Sequence, residues 1–289
     1  MRPAWSVLLF TTLAGAGQGL FLALFAAQPQ GRLMQAGLAT SLALLAAGLI
    51  ASFFHLGHPE RAWRAAAMWR TSWLSREVIV LPAFMALVAA YGWTQSALLG
   101  ALAVAACLAL FACTGMIYAC LPFLQEWRSP LTLVNFTLLG CASGLTLAAA
   151  LAAALEPALA RGYVLAALAV GAAAYLGRLA SLFRNARLRP KSTLASATGI
   201  PQRPIVQMSQ GAMGGSFNTR EFFHGRPRAV VRAARWTLLA LVFPVPAALL
   251  LAGQAAPAFL LQFAGLLAER WYFFAEAKHP QNLYYQAIA

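Results

Sequence analysis

Eight stretches of about twenty nearly uncharged residues constrain this chain more than any other feature. They fall at approximately 5–27, 33–56, 77–95, 97–121, 131–155, 163–183, 233–253 and 257–276. A run of that length spans the hydrocarbon of a bilayer as a helix, and irregular backbone there would leave N–H and C=O groups unpaired. The runs predict an all-α polytopic membrane protein, a bundle of about eight transmembrane helices forming a single integral-membrane domain over 1–289. Composition agrees: 61% of residues are apolar and 10% charged, where a soluble domain carries about 25% charged. The first run resembles a secretory signal, but it exceeds the roughly 7–15 residues of such a core and is expected to stay as the first span.

A net charge of +14 invites a nucleic-acid reading until the basic residues are placed. They lie between the apolar runs, with no soluble basic domain to carry such binding. Their distribution is lopsided. The second connection holds Arg61, Arg64, Arg70 and Arg76, the fourth holds Arg128, and the sixth holds Arg184, Arg187, Arg189, Lys191, Arg203, Arg220, Arg226 and Arg228. Odd connections offer Arg32 and Arg161. The positive-inside rule then puts both termini and the even connections in the cytoplasm. Small residues, such as GAGQG at 15–19 and the alanine-rich runs 101–106 and 148–154, predict close helix packing. Cys107, Cys113, Cys120 and Cys141 form no CxxC pair and read as buried packing residues.

Titratable groups gather in SFFHLGHPERAWRAAAMWRTSWLSREV, which starts at Ser52. Its arginines and tryptophans suit a membrane surface. His55 stands where the second run ends, with Gly57 and Pro59 expected to stop that helix. Glu77 is expected at the start of the third, where the helix dipole favours a carboxylate. One imidazole and one carboxylate thus flank a single connection. A quinol needs such a pair, one group to bind a ring oxygen and one to take a proton as electrons leave. The competing roles are an interfacial anchor for His55 and an ion pair with Arg76 or Arg70 for Glu77.

On the last run Gln262, Glu269 and Glu276 recur at a spacing of seven. They form one polar stripe: a candidate proton path, or a structural pair in which Arg270 neutralises Glu269. Gln18 in the first run is expected to bond across helices. His55, His58, His224 and His279 all sit at run ends or in connections, so no pair is placed to ligate a haem, and no metal site is expected. The 184–232 connection mixes Pro, Gly, Ser and basic residues around Phe217, Phe222 and Phe223, and reads as a partner-docking segment, with a loop lying on the membrane as the alternative.

HLGHPERAWRA and the LSREV that follows it resemble the anchor subunit of the dimethyl sulfoxide reductase family. So do the opening LLFTTLAGAGQG and the closing ERWYFFAEAKHPQNLYY. The resemblance covers essentially the whole chain. It implies the membrane subunit of a three-part complex in the bacterial inner membrane, active in anaerobic respiration. The implied partners are a molybdopterin catalytic subunit and an iron–sulfur electron-transfer subunit. The anchor holds no metal, oxidises an exchangeable menaquinol or ubiquinol, and passes electrons to the clusters. The resemblance also implies quinol-site roles for His55 and Glu77, beside which Arg61 and Gln18 are further candidates. Two other readings compete: a transporter with a path lined by Glu269 and Gln262, and a purely structural anchor.

Overall fold

The computed structural model describes residues 3–54, 56–189, 193–202, 204–205 and 226–278. Among these the regular structure is helical throughout: α1 (Trp5–Ala27), α2 (Arg32–Phe53), a 3-10 helix (Pro59–Met68), α3 (Trp73–Thr94), α4 (Ala97–Ala119), α5 (Pro130–Leu155), α6 (Pro157–Ala186), α7 (Leu194–Thr198), α8 (Arg228–Val242), α9 (Pro244–Leu251) and α10 (Ala255–Glu276). Among the described residues seven segments are long and apolar enough to cross a membrane, with α8 and α9 counted together as one. The twenty-two residues of α10 suffice in length, but Gln262, Glu269 and Arg270 lower its hydropathy. The chain is a multi-pass membrane protein with the architecture its apolar runs predict.

Successive spans alternate in direction. The start of α1, the 56–72 segment, the 120–129 loop, the end of α6 and the start of α8 share one face, called the basic face. The connections after α1, α3, α5 and α9 lie on the other.

Helix α1 runs through the middle of the bundle. Of its most apolar window 78% is buried, against 22% for α6, whose remaining surface is left for lipid. Glycine makes that central position possible. On one side a Cβ at Gly19 would stand 2.0 Å from the Gly140 carbonyl oxygen, and one at Gly144 would stand 2.1 Å from the Gly19 carbonyl carbon. Helices α1 and α5 therefore touch backbone to backbone, as the small residues at 15–19 predict. On the other side Ser41 Oγ of α2 donates to the Gly17 carbonyl at 2.8 Å.

Several boundaries depart from the sequence expectation. Helix α2 ends at Phe53, earlier than 56. Helix α3 begins at Trp73, because Ser72 caps it by accepting from the Ser75 amide at 3.3 Å. Helix α6 extends to Ala186 and shortens the basic connection. The seventh span is broken between Val242 and Pro244. Two prolines, at 244 and 246, each remove an N–H from the helical ladder. The missing N–H of Pro246 leaves the Val242 carbonyl without its partner, and Gln262 Nε2 of α10 donates to it at 3.4 Å. Gly265 lets α10 come close enough: a Cβ there would lie 2.8 Å from the Leu241 carbonyl carbon.

Candidate functional site

Glu77 occupies the second turn of α3, not its first, so the dipole argument loses most of its force there. The carboxylate is 4% exposed and turned into the bundle. Thr114 of α4 donates its hydroxyl to Glu77 Oε1 in a short hydrogen bond across the α3–α4 hairpin. Neither expected arginine pairs with it among the described residues. Arg76 instead donates to the carbonyls of Trp69 and Arg70, at 2.9 Å each, and stacks 4.2 Å over the Trp73 ring. Glu77 stands about 6 Å below the basic-face end of α3, from four residues of helical rise. His55 lies outside the described residues.

The segment between the second and third spans carries a 3-10 helix (Pro59–Met68) with no buried residue. Arg64 and Arg70 cover the rings of Trp63 and Trp69 at 5.4 and 5.3 Å. Arg61 is exposed and 3.8 Å from Glu60, which also meets His58 Nδ1 at 3.0 Å. Gln18 is buried, but thirteen residues along α1 put it about 20 Å from the same face. Its amide donates to Ala14 O of its own helix at 3.1 Å. This corrects the expected bond across helices: the side-chain amide turns back to the carbonyl one turn earlier on its own helix. The structure does not bring Gln18 to Glu77.

A second polar centre joins α5, α6 and α10. Glu269 is 1% exposed, and its Oε1 pairs with Arg178 Nε of α6 at 2.9 Å. Its Oε2 lies 3.6 Å from Arg270 Nε, beyond hydrogen-bond range. The Arg270 guanidinium rests 3.6 Å over Phe136, and Asn135 Nδ2 donates to Ser181 Oγ at 2.7 Å. Along the spacing-of-seven stripe each group has its own partner: Gln262 bonds the broken span, Glu269 meets Arg178, and Glu276 accepts from Asn185 at 3.5 Å. Burial of Glu269 inside the bundle is as expected, but its main partner comes from α6. Sequence reasoning passed over Arg178. Its signal was plain, a lone arginine interrupting the run 163–183, and a cation at that depth demands a partner.

Of the cysteines, Cys107 and Cys113 are buried as expected; Cys120 is exposed, because it follows the last turn of α4. Among the described residues no three of His, Cys, Asp and Glu gather where they could hold a metal ion. The middle of the 184–232 connection, with Phe217, Phe222 and Phe223, and His224 and His279 lie outside the described residues.

The family model of the DMSO reductase anchor (DmsC) matches residues 1–214. An Allochromatium vinosum protein, one of the subunits of a sulfite dehydrogenase, is 53% identical over 325 aligned positions, which cover all of this chain and all of the relative. The family match takes in Glu77, Thr114, Arg178 and the full set of spans through α6, and the relative extends the likeness to the end of α10. The chain belongs to the DMSO reductase anchor family.

Proposed function

We propose that this chain is the quinone-reactive anchor of a molybdopterin oxidoreductase complex, exchanging electrons between a membrane quinone and an iron–sulfur partner subunit. The observation that carries this reading is the buried Glu77 carboxylate, tied to Thr114 near the helix ends of the basic face. Such a group can take or give a proton at a headgroup arriving from the bilayer. His55, at the end of the preceding span, supplies the second proton-handling group, and Arg61 lies on the surface segment between them.

Quinone and quinol differ by two electrons and two protons, and one pair of acid–base groups serves either direction. The resemblance to dimethyl sulfoxide reductase anchors points to oxidation of menaquinol or ubiquinol. The name of the 53% identical relative points the other way: a sulfite dehydrogenase withdraws two electrons from sulfite, which become available to reduce a quinone. We favour the second direction, because that likeness spans both chains completely. The excess of arginines on the basic face supports a cytoplasmic position for it, with the 184–232 segment as part of the docking surface for the partners.

The test uses membranes containing the whole complex. Sulfite-dependent reduction of a quinone analogue and quinol-dependent reduction of dimethyl sulfoxide are measured side by side, and dye-coupled turnover reports the soluble subunits alone. Glu77→Gln and His55→Arg are expected to lower the quinone-coupled rate at least tenfold and to leave the dye-coupled rate unchanged. Unchanged quinone coupling in both variants would remove the assigned site.

A further inference from the structure

The polar centre between α5, α6 and α10 encloses a small cavity. Asn135, Arg178, Ser181 and Glu269 line it at depth, with Glu126 and Asn185 toward the basic face. From the helix ends, the four inner residues lie about 8–12 Å down. The enclosed space, ≈ 10 Å³, holds about one water molecule.

Four buried atoms of its lining have no hydrogen-bond partner: Arg178 Nε, which already faces Glu269 Oε1 in the ion pair, and three that remain to be satisfied, Asn135 Oδ1, Arg178 Nη2 and Glu269 Oε2. Their side chains are 5%, 2% and 1% exposed. Each would forfeit its full hydration if left unpaired, and the two charged groups would lose the most. Two of the three are acceptors and one is a donor. An anion would meet a carboxylate oxygen and a carbonyl oxygen, both repulsive, and a cation would meet two guanidinium groups. Water alone satisfies all three, donating twice and accepting once.

We propose that this cavity is a built site for a water molecule, fed from the basic face past Glu126 and Asn185. The water donates to Asn135 Oδ1 and Glu269 Oε2 and accepts from Arg178 Nη2. Helix α6 and the 120–129 loop hold the entrance in shape: Arg184 donates to the carbonyls of Gln125 and Arg128, each at 3.0 Å. The result is a one-sided aqueous inlet that hydrates a charged cluster inside the bundle. It stands apart from Glu77, which lies on α3.

Hydroxyl-radical footprinting of the full chain in native membranes tests this, because radicals formed from a trapped water oxidise the side chains around it. Phe136 and Phe273 line the cavity, while Phe21 and Phe84 are buried in the apolar core. Phe136 and Phe273 are expected to be oxidised several-fold faster than Phe21 and Phe84, and Asn135→Leu is expected to abolish the difference. Equal rates for the four phenylalanines in the unaltered protein would overturn the proposal. So would a density map showing the three polar atoms paired directly with protein groups and no water between them. Neither outcome bears on quinone coupling at Glu77.

Discussion

Gln262 and Glu269 stand seven residues apart on α10 and belong to the same polar stripe in the sequence, yet they do different things. Gln262 repairs a helix break: its amide covers the Val242 carbonyl that Pro246 leaves open. Gln262→Leu is therefore expected to destabilise the bundle by about 1–3 kcal/mol, the cost of an orphaned buried acceptor. Thermal unfolding in detergent measures the loss, and quinone-coupled turnover of the surviving protein should stay unchanged. Glu269 neutralises charge. Replacing it by Leu leaves the Arg178 and Arg270 guanidiniums buried without their shared carboxylate, a change expected to cost about 3–5 kcal/mol. Reduced recovery of folded protein from membranes would register it. The paired change Arg178→Met with Glu269→Leu should recover part of the loss, because it buries one uncompensated charge in place of two.

At the level of elements, the contact between α1 and α5 depends on the absence of side chains. Gly19→Ala would drive a methyl group to within 2.0 Å of the Gly140 oxygen, so backbone has to move. The expected cost is at or above the top of the roughly 1–3 kcal/mol range for overpacking. Gly171→Ala on α6 is the control: nothing lies within 4 Å of a Cβ built there, and the better helix propensity of alanine is worth up to about 1 kcal/mol. Thermal stability of the two variants in the same detergent should move in opposite directions. The same element scale explains why the seventh span reads as unbroken in the sequence. Its hydropathy is continuous across Pro244 and Pro246, and only a neighbouring helix with a glycine and an amide at the right height makes the break tolerable in lipid.

For the whole molecule, direction alternates from span to span, so position along the chain assigns each connection to a face. Reporter tags at 123 and 200 should lie on one side of the membrane with the N-terminus, and tags at 29, 95 and 254 on the other. Protease access in sealed, oriented vesicles reads the pattern, with the first group cytoplasmic. A tag at 254 on the same side as one at 200 would mean that the broken α8–α9 segment turns back without crossing.

The sequence by itself determined the class of fold, the approximate number and position of the spans, the interfacial nature of the segment after α2 and the charge asymmetry of the two faces. These follow from length and polarity, which a bilayer reads one segment at a time. Glu77 and Glu269 were legible as candidates because a carboxylate is conspicuous in an apolar run. Their partners were not. Thr114 on α4, Arg178 on α6 and Asn135 on α5 are far from them in the chain, and a polar side chain on a helix announces no particular neighbour. Only the packing of α1 against α5, and of α10 into the space beside them, decided which groups meet. In lipid, apolar faces attract one another weakly, and close contact depends on where small residues let backbones approach.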